Sequence, residues 1–375
     1  MGIGRQVKLL VDKSRQDFYS GEETRRIPIS IFYPTKQTGS SLYEDLYAPK
    51  EELLVKIYGE GKDERVKHLK SLTTSFLNNA TPDLSKARPV IVFSHGLEAD
   101  RDFYLFLIEP LVEAGYVVVT TGHLYDTDLT LLPDGEEVLQ KEGLLAESSY
   151  EQRTAQIEAR GHDMWFVVDY LDRLNKEDSF AGLLDLNLVG LAGHSLGGMT
   201  VLKTLPHPLV KAGVLLDAAL QYIDVEEDLK QGVSVDKPLL NFRRDSTGYG
   251  HRIRYRIEKS KGRSGEKFKE IILREHEQAL NEEVDVRQLY QYVNGRFKNF
   301  IYMDKTVHMT FCDWFRLVPD KYYPTLIPIE EAHTLIAEVV CAFFQENLLK
   351  EGTPYTDLIH DEDSQGIHLE PIGMY

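Results

Sequence analysis

Cysteine is nearly missing from this chain of 375 residues: there are two, Cys312 and Cys341, and no C-x-x-C pair. That excludes a disulfide framework or a zinc ribbon as the source of stability. No apolar run approaches the roughly 20 residues that span a bilayer. The opening stretch Met1–Val11 carries basic residues without the apolar centre of a secretory leader, and Gln6 stands where myristoylation favours Ser or Thr. Positive charge is scarce as well. Lys and Arg number 43 against 60 Asp and Glu, a formal net charge of -17. A protein so acidic has little with which to displace counterions from nucleic acid, and no nucleic-acid partner is expected. Internal repeats and long low-complexity linkers are also missing. These absences predict a reduced, cytoplasmic protein with one domain over 1–350. Insertions are expected near 41–80, 124–147 and 246–298, with a weakly structured acidic tail at 351–375.

What is present is an alternation of short apolar runs with helical patterns. Ile27, Ile29 and Ile31 alternate as a half-buried strand requires, and Val7–Val11 has strand character too. A continuous apolar run follows at Val90–Phe93, as a buried parallel strand reads, and further strands are expected at Tyr116–Thr120, Leu186–Ala192, Ala212–Leu216, Pro238–Phe242 and Phe300–Met303. Between and after them lie helical patterns at Phe103–Ala114, Tyr150–Leu174 and Ile329–Leu348. The expected fold class is α/β: a mainly parallel central sheet with helices on both faces. Glu51–Leu77 reads as a charged surface helix. The polar connection Leu124–Glu147 is a natural place for a lid.

Directly behind Leu186–Ala192 stands Gly193-His194-Ser195-Leu196-Gly197-Gly198. Strand, G-x-S-x-G, then helix is the nucleophile elbow of α/β-hydrolases, which holds a serine at a sharp turn above the sheet. The ordinary alternative is a glycine-rich turn between a strand and a helix. A serine hydroxyl needs a base, normally a histidine oriented by a carboxylate, and in this fold the chain order is Ser, acid, His. Of the 12 histidines, His308 follows the strand Phe300–Met303 after a short turn. His251 and His276 lie in the charged insertion, His333 sits on the closing helix, and His194 reads as a packing residue. Two carboxylates compete for the acid. Asp217 ends the strand after the elbow and has apolar flanks; Asp245 ends the following strand, beside Arg243 and Arg244. Position leaves the choice open. Two N–H donors should receive the oxyanion, one from Leu196 and one from Leu97 in the loop Ser94-His95-Gly96-Leu97. No metal or organic cofactor is called for by this set.

These residues resemble the plasma and type II platelet-activating factor acetylhydrolase family and its bacterial esterase relatives. The resemblance rests on Val92–Leu97, the elbow Gly193–Gly198, Leu216-Asp217-Ala218 and Val307-His308. Asp12–Arg15 and Ile27–Pro34 also match that family's opening strands. It implies Asp217 as the acid, with Leu97 and Leu196 as oxyanion donors. The implied activity is calcium-independent hydrolysis of short or truncated acyl esters, including those of phospholipids; cutinase-like esterases or deacetylases, and a non-catalytic binder on the same fold, are the alternatives. The chain departs from the family at Leu196, where an aromatic residue is frequent, at Glu98, where many members have a small residue, and in the length of 246–298. That insertion carries Arg252, Arg254, Arg256, Lys259, Lys261, Arg263, Lys267 and Lys269, a basic patch suited either to plain solvation or to weak contact with an anionic membrane surface.

Overall fold

The isoleucine alternation near the N-terminus builds a long antiparallel pair, β1 (Gly2–Asp12) and β2 (Arg25–Thr35). The structure is a computed structural model describing residues 2–59, 61, 63–142, 144, 149–177, 179–244, 273, 281–322, 326–360 and 366–370. After the short strand β3 (Phe76–Asn78) come six strands rich in Val, Leu and Ile: β4 (Arg88–Ser94), β5 (Val117–Thr121), β6 (Leu184–His194), β7 (Val210–Leu216), β8 (Leu239–Arg244) and β9 (Lys298–Met303). These six pair in parallel, and β10 (Ile367–Leu369) closes the edge antiparallel to β9. The sheet order is β10-β9-β8-β7-β6-β4-β5-β2-β1-β3. Because β5 and β6 lie on opposite sides of β4, the connections reverse direction there. Such a switch point opens a crevice at the carboxyl ends of the strands.

Helices cover both faces, as the continuous apolar strands require. On one face α1 (Leu105–Glu113) packs with α4 (Ile329–Phe344); on the other, α2 (Tyr150–Leu174) packs with α3 (Leu196–Thr204). Helix α2 begins at a capping box: Ser149 accepts from the Gln152 N–H, and the Gln152 side chain accepts from the Ser149 N–H at 2.8 Å. Met164, Val167, Val168, Leu171 and Leu174, the stripe read from spacing, are all buried.

Three expected segments differ in detail. Glu51–Leu77 is two short helices, Glu52–Tyr58 and Asp63–Ser71, because Gly59 closes the first. The 124–147 connection contains a hairpin (Leu129–Leu131 with Glu137–Leu139) whose Leu132 and Val138 pack with Leu124. The expected loose tail instead supplies α5 (Pro354–His360), with Tyr355 buried against Phe343, and then β10. Acidic composition hid two apolar anchors there, Tyr355 and Ile367. Of the 246–298 insertion, the described part is residue 273, a helix at 281–292 and the approach to β9; Asp245 and the basic residues from Arg252 to Lys269 lie outside the described residues. Among the described residues, no helix is long and apolar enough to cross a membrane.

Candidate active site

The site grows from the carboxyl ends of β4, β6, β7 and β9. At the end of β6 the chain turns so sharply that Ser195 takes φ 56°, ψ -120°, a conformation that L-residues rarely adopt. The turn is fixed from both sides: the Ser195 N–H donates to the Leu216 carbonyl at 3.0 Å, and the Ser195 carbonyl accepts from Ala219 at 3.0 Å. Glycine is required around it. A Cβ on Gly193 would lie 2.3 Å from the Gly197 carbonyl oxygen, and one on Gly197 would lie 2.1 Å from the Ser94 carbonyl oxygen.

Ser195 donates its hydroxyl proton to His308 Nε2 at 2.8 Å, and His308 Nδ1–H donates to Asp217 Oδ2 at 2.5 Å. Ser195, His308 and Asp217 are thus brought together from three separate strand ends. Asp217 is buried, while the His308 side chain is 39% exposed, so the imidazole is open to solvent and the carboxylate is not. Burial alone would raise the Asp217 carboxyl; the Arg244 guanidinium and the hydrogen bond from His308 outweigh it and hold the group far below the usual carboxylate range. Asp217 therefore carries its charge. Asp245, the competing acid, falls outside the described residues. Arg244, just before it, already occupies Asp217 as an ion-pair partner.

Gly96 brings the Ser94–Leu97 loop against Ser195: a Cβ there would meet Ser195 Cβ at 3.2 Å. The Leu97 and Leu196 N–H groups, at the start of this loop's exit and of α3, find no acceptor among the described residues. Under the loop lies a buried polar network. Arg160 donates to the His95 carbonyl, and His123 donates its backbone N–H to His95 Nε2 at 3.1 Å. The Ser94 hydroxyl donates to His123 Nε2 at 2.9 Å, and His123 Nδ1–H donates to Asp163 at 3.0 Å. Arg25 pairs with Asp163 at 2.7 Å. Burial, then the nearby Arg160 charge, pushes His123 down to about 3, so it stays neutral and keeps this tautomer.

A second chain joins the loop to the base. The Gly96 N–H donates to Tyr104 Oη at 2.8 Å, Tyr104 Oη–H donates to His194 Nδ1 at 3.1 Å, and His194 Nε2–H donates to the His308 carbonyl at 3.1 Å. His194, read from sequence as packing, is therefore a strut between elbow and base. Burial, then the neighbouring His308, holds it well below the ordinary histidine range, as this neutral tautomer needs. Tyr104, Arg160 and Arg244 were not singled out by the sequence. Only the doubled arginine at the end of β8 gave a signal. His333 packs instead, stacked on Phe106 with centroids 4.0 Å apart; no described histidine other than His308 reaches Ser195 Oγ.

With this geometry in place, comparisons with known proteins point one way. The family model described as platelet-activating factor acetylhydrolase, isoform II, matches residues 13–351. A guinea-pig (Cavia porcellus) platelet-activating factor acetylhydrolase is 26% identical over 236 residues, 54% of this chain and 52% of its own. The putative esterase YitV of Bacillus subtilis is 28% identical over 162 residues, covering 41% of this chain and 55% of its own. A probable 1-alkyl-2-acetylglycerophosphocholine esterase of Arthroderma benhamiae is 24% identical over 232 residues, 58% of this chain and 57% of its own. The chain thus spans about half the length of the curated relatives it matches. Among solved structures, a ferulic acid esterase from Streptomyces cinnamoneus superposes with TM-score 0.74 at 21% identity, covering 98% of this chain and 96% of that one. That likeness carries the α/β-hydrolase fold.

Proposed function

Because the chain belongs to the platelet-activating factor acetylhydrolase isoform II family, we propose that it is a serine ester hydrolase acting on short or truncated acyl esters, those of phospholipids included. The single observation carrying this reading is the hydrogen-bonded line Ser195–His308–Asp217 beside the Gly96-Leu97 loop. In the proposed reaction His308 Nε2 takes the Ser195 proton as Oγ attacks the ester carbonyl carbon. The carbonyl oxygen gathers negative charge and is received by the N–H groups of Leu97 and Leu196. Asp217 holds the tautomer and steadies the imidazolium. His308 then gives the proton to the departing alcohol, leaving Ser195 acylated. Water, deprotonated by the same imidazole, releases the acid and restores the serine.

The acyl preference is tested with p-nitrophenyl esters from acetate to palmitate. The expected outcome is the highest kcat/KM for acetate, propionate or butyrate, falling with longer chains. A clear preference for palmitate overturns the short-acyl reading.

A further inference from the structure

Strand β8 ends in two consecutive arginines, and the second intrudes on the acid–base pair. Arg244 Nη1 ion-pairs with Asp217 Oδ2, the same oxygen that accepts from His308 Nδ1, and its backbone N–H approaches Asp217 Oδ1 at 3.3 Å. The guanidinium lies 3.4 Å from His308 Nδ1. Its other end donates from Nη2 to Glu282 Oε1 at 2.5 Å, and Glu282 also faces Arg243 at 3.5 Å. Arg243 reaches onward to Glu370 beside β10 at 3.4 Å. Glu282 belongs to the 281–292 helix, so among the described residues this helix meets the site through the Glu282 carboxylate and the two arginines.

Two difficulties of the site explain why such a clamp is useful. Asp217 sits at φ 41°, outside the comfortable backbone regions, and the histidine it must orient is substantially exposed. A second, planar donor on the same carboxylate fixes its direction where packing on the imidazole cannot. An arginine so close to the histidine would on its own repel the cation that forms when Ser195 gives up its proton. Glu282 removes that conflict. With the imidazolium present, Arg243, Arg244 and His308 carry three positive charges against three negative charges on Asp217, Glu282 and Glu370. The remaining close ring, His194, is 4.6 Å away between centroids and is neutral.

We propose that Arg244 is a positioning residue for the acid of the Ser195–His308–Asp217 set. Glu282 is its counter-charge, so that the 281–292 helix completes the active site instead of decorating it. This rests on the triad reading above. Arg244→Ala should lower kcat about tenfold to a hundredfold, the scale of a small misplacement of reacting groups, with KM nearly unchanged because both ends of the guanidinium are taken up by Asp217 and Glu282. Arg244→Lys should recover part of the loss, and millimolar guanidinium ion should raise the kcat of Arg244→Ala alone. Glu282→Gln should also lower kcat, by leaving the arginine unbalanced. The double variant Arg244→Ala/Glu282→Gln should then be more active than the product of the two single losses.

The experiment is steady-state hydrolysis of p-nitrophenyl acetate by these variants and by Ser195→Ala, with thermal melts alongside. A wild-type kcat in Arg244→Ala, a loss confined to KM, or single losses that simply multiply in the double variant overturns the proposal. Normal turnover by Ser195→Ala would instead sink the triad reading on which it rests. Should Arg244→Ala fail to fold, Arg244→Lys and Glu282→Gln carry the test: unchanged kcat in both overturns it.

Discussion

Ser195 is held by its backbone before its side chain does anything. A non-glycine residue in its conformation costs on the order of 1–3 kcal/mol, tolerated only where surrounding contacts fix it. Those contacts come from Leu216 and Ala219, the segment that also delivers Asp217, so Ser195 and Asp217 are placed by one local arrangement. The Gly96 loop is tied to His308 through Tyr104 and His194 in the same manner. Removing the Tyr104 hydroxyl would strand a buried Gly96 N–H and leave His194 Nδ1 without its donor. Tyr104→Phe is therefore expected to lose about 1–3 kcal/mol in urea unfolding, the usual penalty for buried groups left unsatisfied. It should also lower kcat more than it raises KM. Unchanged stability with unchanged kcat would show that the chain of hydrogen bonds does not position the loop.

At the level of elements, the tail makes the clearest prediction. Tyr355 on α5 and Ile367 on β10 are both buried, and each apolar side chain so covered contributes about 1.5–3 kcal/mol. A chain ending at Lys350 should be less stable by several kcal/mol in denaturant, roughly 3–6 by the same measure as an upper bound. A truncation with an unshifted midpoint would mean that α5 and β10 add nothing to the core. Composition concealed this pair of elements, because two apolar anchors among acidic residues do not make a period. Where the period was strong, sequence sufficed: the helix expected over Tyr150–Leu174 is observed with those bounds, and the parallel strands lie within a few residues of their apolar runs. The candidate site divides similarly. Strand ends and a glycine pattern point to Ser195, His308, Leu97 and Leu196 but leave Asp217 and Asp245 level, and only the family resemblance separates those two. Arg160 meets His95, Tyr104 meets His194 and Arg244 meets Asp217 through contacts 65, 90 and 27 positions apart in the chain, and apart from the doubled arginine such pairs leave little local trace.

Over the molecule as a whole, buried neutral histidines tie stability to pH. Burial pushes His333 down to about 4, whereas an unfolded histidine titrates near 6.5. With the folded value depressed, the unfolded chain takes up a proton between about pH 6.5 and 4 that the fold refuses, so this contribution to stability is intact above pH 6.5 and is lost as pH falls. His333→Gln cannot titrate. Between pH 7 and 4 the wild type should lose roughly 2–3 kcal/mol more than this variant, read from denaturant unfolding at each pH. Parallel stability curves would contradict the assignment. The same whole-molecule arrangement, four strand ends meeting at a switch point, underlies the proposed chemistry, and the most direct test of that chemistry is the turnover of Ser195→Ala. Steady-state hydrolysis of p-nitrophenyl acetate should fall about a million-fold, the scale on which a serine hydrolase loses its nucleophile, and labelling by a fluorophosphonate should vanish with it. A Ser195→Ala protein that keeps wild-type turnover would contradict the account at its centre.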